Sequence, residues 1–201
     1  MGREDTRKTI LEAAADLVHR QGFNHTGLKE ILDASGVPKG SFYFFFKSKE
    51  EFGLALVDYY AEKMAVVARS CFEDTSASPI ARLRSFFHRV HSQFEADGCE
   101  KGCPIGNLCQ EMSDLSPVFR QKLASILERM ATGMAELLRQ AQEIGEVPAN
   151  LDPEDTARFI TSSWEGAILT MKVVKTVEPL DRFERFIFGE ILSGSRPDGS
   201  S

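Results

Sequence analysis

Cys99, Cys103 and Cys109 fall within eleven residues, with Cys71, His88 and His91 upstream, and these side chains are the best suited in the chain to ligation or nucleophilic chemistry. Thiolates and imidazoles are ligands of zinc, but the C-x3-C-x5-C spacing fits no common zinc module, so no metal and no other cofactor is expected. Cys109 reads as a small buried hydrophobe and Cys99 as incidental. Cys103 differs. It follows Gly102 and precedes Pro104 at a predicted helix start, where the positive end of the helix would lower its pKa and favour thiolate. No HExxH, GxSxG or phosphate-binding glycine loop occurs, and no paired carboxylates have an obvious partner base, which argues against an enzyme.

A second group could bind rather than react. The run Gly36 to Lys49, "GVPKGSFYFFFKSK", holds Lys39, Lys47 and Lys49 and no acidic residue, although the chain carries a formal charge of −6. Residues 1–50 contain eight Lys/Arg and seven Asp/Glu, whereas residues 51–201 contain 16 and 23. An acidic body holds polyanions poorly, so contact with nucleic acid is expected only in the N-terminal segment.

The elements that must position these groups read as helices throughout. "TRKTILEAAADLVHRQGF" places Ile10, Ala14, Leu17 and Val18 on one face, with Gly22 at a C-cap. Thr26 or Gly27 caps a short helix with Leu28, Ile31 and Leu32 inward. Gly36 breaks it, and a second short helix starts near Pro38. Ser48-x-x-Glu51 is a capping box opening a long helix with Phe52, Leu56, Tyr59 and Tyr60. Ser78-Pro79, Ser116-Pro117 and Asp152-Pro153 mark three more helix starts. The expectation is an all-α architecture of about nine helices. Two short helices about a glycine turn form a helix-turn-helix, with Ile31, Val37, Phe42 and Phe45 or Phe46 packed between them. The second helix would lie in the DNA major groove, presenting Lys39, Gly40 and Ser41 to bases or phosphates. Lys49 would stand beside a phosphate at the next helix start.

Residues 7–60 resemble the N-terminal domain of the TetR family of transcriptional repressors. The resemblance rests on "ILEAAADLVHRQGFNHTGLKEILDASGVPKGSFYFFFKSKEEF" and extends over some forty positions. It implies a homodimer with paired DNA-binding domains and a variable helical effector domain. By position, it assigns contacts with double-stranded operator DNA to Thr26, Lys39, Gly40, Ser41, Tyr43, Phe44 and Lys49. Phe45 stands where the family usually has His or Tyr, and Leu32 replaces a customary small alanine. "GCPIGNLCQEMSDLSP" further resembles a stretch in a subgroup that includes an N-ethylmaleimide-responsive repressor, which implies an electrophile or other small molecule as effector and Cys103 as its sensor.

The expected organisation is a DNA-binding domain over residues 1–50, an effector-binding and dimerisation domain over 51–192, and a disordered tail over 193–201. The last two helical patterns carry more apolar surface than one helix face needs, so Trp164, Phe183, Ile187 and Ile191, with Phe186, are expected at a dimer interface. The most hydrophobic stretch, "FITSSWEGAILTMKVVK", is interrupted by Glu165 and Lys172 and does not read as a membrane span. The N-terminus lacks the apolar region of a signal peptide, which places the chain in the cytoplasm with reduced thiols. A helical enzyme or a protein-binding adaptor would be the competing functions, and the adaptor would leave the acid-free lysine turn unexplained.

Overall fold

The computed structural model describes residues 3–193, so all but the first residue of the expected tail lies outside it. Among the described residues there are nine α-helices and no strand: α1 (Arg3–Gln21), α2 (Leu28–Ser35), α3 (Lys39–Phe45), α4 (Lys49–Phe72), α5 (Pro79–Ala96), α6 (Pro104–Met112), α7 (Pro117–Glu143), α8 (Pro153–Val174) and α9 (Glu178–Phe186). A π-type turn, Ile187–Ile191, continues α9.

The helix boundaries follow from local chemistry. Ser78 Oγ accepts from Ala81 N, Ser116 Oγ from Phe119 N, and Asp152 Oδ1 from Asp155 N, each ahead of a proline that needs no N–H partner. Ser48 Oγ accepts from Glu51 N at 3.0 Å, while the Glu51 carboxylate reaches back to Lys47 N at 2.8 Å, one residue earlier than a capping box would place it. Gly22, at φ +88°, ends α1, and its N–H closes on Val18 O.

The chain packs as two compact units. The first comprises Met1–Met64 and Pro104–Ala124. Its core is aromatic: Phe42, Phe46 and Phe52 are fully buried within 5.5 Å of one another by ring centroids, beside Ile10, Ile31 and Leu56. Phe23 stacks on Phe119 at 5.4 Å, and the two rings close over Gly53. Of the residues expected to pack the two short helices, Ile31, Phe42 and Phe46 are buried, whereas Val37 and Phe45 are only half-buried.

The second unit comprises Ala65–Cys103 and Ser125–Ser201. Leu83, Phe86, Phe87 and Val90 form the buried stripe of α5, at the spacing of one helix face. Phe87 is the hub: its ring lies 4.9 Å from Trp164 and 5.1 Å from Phe183, and Trp164 lies 4.9 Å from Phe183. Burying each such side chain stabilises by roughly 1.5–3 kcal/mol. Arg82 is held among these helices by donating to Phe72 O and Gln140 Oε1, both at 2.8 Å.

Candidate nucleic-acid interface and effector region

Gly36, in the left-handed conformation at φ +65°, turns α2 into α3, a turn a side chain would strain. α3 then buries Phe42 and sends its neighbours outward. Tyr43 is 46% exposed and Phe44 60%, an uncommon exposure for aromatics in an aromatic-cored unit. Lys39 and Gly40 are exposed and Ser41 half-exposed. The Lys39 ammonium stands 6.0 Å from the Tyr43 ring, and the site where a Cβ of Gly40 would stand meets open space. Among the residues assigned from sequence, Lys39, Gly40, Ser41, Tyr43 and Phe44 therefore share α3.

Two assigned residues sit otherwise. Thr26 is fully buried, and its hydroxyl donates to Gly22 O at 2.6 Å, which shapes the turn before α2. Lys49 is half-buried: its ammonium lies 4.8 Å from the Phe23 ring and 3.4 Å from Asn24 O. Burial holds its pKa below the usual lysine range, against the pull of Glu111 and Glu30. Glu111, on α6, is the residue that sequence reasoning missed here. Its carboxylate accepts from Phe23 N at 2.9 Å and Asn24 N at 2.6 Å, tying α6 to the turn between α1 and α2.

In the second unit Cys103 is 3% exposed, and its thiol is hydrogen-bonded to the Glu165 carboxylate. Burial raises Glu165 above the usual carboxylate range, and the thiol partly offsets this. The sequence did carry a signal for Glu165, a charge inside its most hydrophobic stretch. Cys99 is buried with φ +57°, and burial pushes its thiol up. Cys109 is half-buried, not the core hydrophobe expected. His91 is engaged by the acids of α9, with Nδ1 2.9 Å from Glu184 Oε1 and Nε2 3.8 Å from Asp181 Oδ1. Among the described residues no group of three or more His, Cys, Asp or Glu side chains could hold a metal.

The residues expected at the dimer face divide between buried and exposed. Trp164, Phe183 and Ile187 are 3%, 7% and 2% exposed within their own unit, because Phe87 and its neighbours cover them. Ile191 is half-exposed, and Phe159 and Phe186, both 53% exposed, are the outward aromatics. Between them runs an apolar groove of about 330 Å³, with Phe183, Ile187 and Ile191 in its lining.

A helix-turn-helix followed by a helical effector unit defines a class of DNA-binding regulator, and the comparisons with known proteins specify which. Residues 10–56 match the model for bacterial regulatory proteins of the tetR family, and residues 79–187 match the tetracyclin repressor-like C-terminal domain. The chain belongs to the TetR family of transcriptional regulators, whose members bind operator DNA and act as dimers. It is 39% identical to the transcriptional regulator AcuR of Cereibacter sphaeroides, over 89% of this chain and 81% of that protein. It is 33% identical to the HTH-type transcriptional repressor DhaR of a Mycobacterium species, over 96% and 95%. The crystal structure of the reduced form of Escherichia coli NemR superposes with a TM-score of 0.86 at 28% identity, over 96% of this chain and 99% of that one. Among the described residues no helix is long and apolar enough to cross a membrane.

Proposed function

We propose that this protein is a homodimeric repressor that binds double-stranded operator DNA in the cytoplasm and leaves it when an electrophile reaches Cys103. The observation that carries the DNA reading is the exposed, acid-free face of α3, where Lys39, Gly40, Tyr43 and Phe44 stand out from a chain of charge −6. Lys39 and Ser41 offer donors to base edges or phosphates, Gly40 lets the backbone approach, and Tyr43 can donate to a phosphate. Thr26 fixes the turn that aims α3, and Lys49 adds charge from beside it. The relative DhaR is named a repressor, which supports the sign of regulation. Among the described residues no catalytic constellation of groups recommends the helical-enzyme reading.

Binding to the gene's own upstream DNA, measured across salt concentrations, tests the proposal. Lys39→Ala should weaken operator binding and lower the salt slope by about one, and Tyr43→Phe should cost on the order of 1 kcal/mol. Wild-type affinities for both variants on operator and on random DNA would refute the assigned face. For the effector, wild type and Cys103→Ser are titrated with N-ethylmaleimide on bound operator, and only wild type should release it. The crystal structure of Escherichia coli NemR is of its reduced form, which supports asking the same redox question of Cys103.

A further inference from the structure

α8 carries Glu165 next to Trp164, one of the buried aromatics of the second unit, where a carboxylate is poorly hydrated. Its partner there is the Cys103 thiol, and Glu165 Oε1 is sealed from solvent with no hydrogen-bond donor. A buried acceptor left without a donor destabilises the fold, the more so when it is charged. An amide or an apolar side chain would suit a merely structural position better.

We propose that Glu165 is the proton relay through which Cys103 adds to an activated alkene such as N-ethylmaleimide. The proposal rests on reading Cys103 as the reactive thiol. The Glu165 carboxylate removes the proton from Sγ as the sulfur pair forms a bond to the β-carbon of the ligand. The carbon–carbon π pair moves to the carbonyl as an enolate. The carboxylic acid of Glu165 then returns the proton to the α-carbon. The net change is addition of S–H across the double bond, with Glu165 restored as carboxylate and no further reactant. Burial assists, because a carboxylate raised toward the thiol's pKa is a stronger base and its acid remains protonated long enough to deliver. The same burial keeps bulk water from quenching the enolate first.

The probe is N-ethylmaleimide on the full chain, with modification of each cysteine followed by peptide mass spectrometry from about pH 5.5 to about pH 9.5, to bracket the free thiol value. With a relay, Cys103 in wild type should react at least about ten-fold faster than in Glu165→Gln near neutral pH. The two rates should converge near the alkaline end, where the thiol ionises unaided. Glu165→Asp should restore part of the rate and keep the low-pH limb, and Cys109 should react alike in all three proteins. Equal Cys103 rates in wild type and Glu165→Gln at every pH would overturn the relay while leaving Cys103 as sensor. A slower rate in Glu165→Gln by the same factor at every pH would overturn it too, assigning Glu165 to packing. A wild-type Cys103 that never reacts would overturn the relay and the sensor together. If Glu165→Gln does not fold, Glu165→Asp decides, and loss of its low-pH limb overturns the relay.

Discussion

Burial acts on Glu165 as a stability term whose sign can be worked out. Its folded pKa is raised above the ordinary 4.5, so its contribution is fully favourable below that value and is lost as pH rises through the folded pKa. At neutral pH the group therefore opposes folding. Glu165→Gln should melt higher than wild type near pH 7 and show no such gain below about pH 4, as thermal denaturation at the two pH values will show. Which residues carry charge or apolar surface was legible in the sequence. Their partners were not. Thr26 and Lys49 were matched to a DNA-contact pattern by position, yet Gly22 O claims the Thr26 hydroxyl and the Phe23 ring and Asn24 O draw in the Lys49 ammonium. Those acceptors exist only once the turn after α1 has closed.

At the scale of the element, helix ends are written in two or three adjacent residues. For that reason Ser78, Ser116 and Asp152 stand where the sequence placed them. α8 ends less comfortably, on Lys175 in the left-handed region at φ +59°. Glycine adopts that conformation without a Cβ penalty, so Lys175→Gly should stabilise by about 1 kcal/mol, measured as a shift in the urea midpoint. Glu111 works the opposite way, since α6 depends on it for its hold on the first turn. Glu111→Ala leaves Phe23 N and Asn24 N without their acceptor and should lower stability by about 1–3 kcal/mol. An unchanged urea midpoint would show that water replaces the carboxylate at no loss. Helix periodicity showed that α8 and α9 are apolar on more than one face. It could not show which face the chain itself covers, and Trp164 and Phe183 turned inward onto Phe87.

At the scale of the whole molecule, the uncovered aromatics define the expected contact with a second copy. Phe186 is 53% exposed beside the groove and adds little to its own core, so Phe186→Glu should leave the fold intact while burying a charge in any dimer. Light scattering should report a monomer, and operator affinity should fall because one half-site supplies only part of the contacts. A Phe186→Glu protein that remains dimeric and binds as wild type would move the interface elsewhere. Ile187→Arg, attractive from sequence alone, is a poor test, since Ile187 is 2% exposed and its replacement would disrupt the protomer first.

The enclosure of Gly53 by two rings has a consequence for anyone assembling hybrid regulators. A Cβ at that position would fall 2.5 Å from Phe23 Cζ and 2.6 Å from Phe119 Cζ, so the three residues are fitted to each other as one piece. Phe23 and Gly53 would travel with a DNA-reading head cut near residue 56, but Phe119 and the Glu111 tether would stay behind with the recipient. The transplanted head would then meet foreign side chains where its own lid had been. A graft that carries residues 104–124 along with the head should keep its shape, whereas one joined at a single point should loosen in the turn before α2, however faithfully its operator-facing helix is copied.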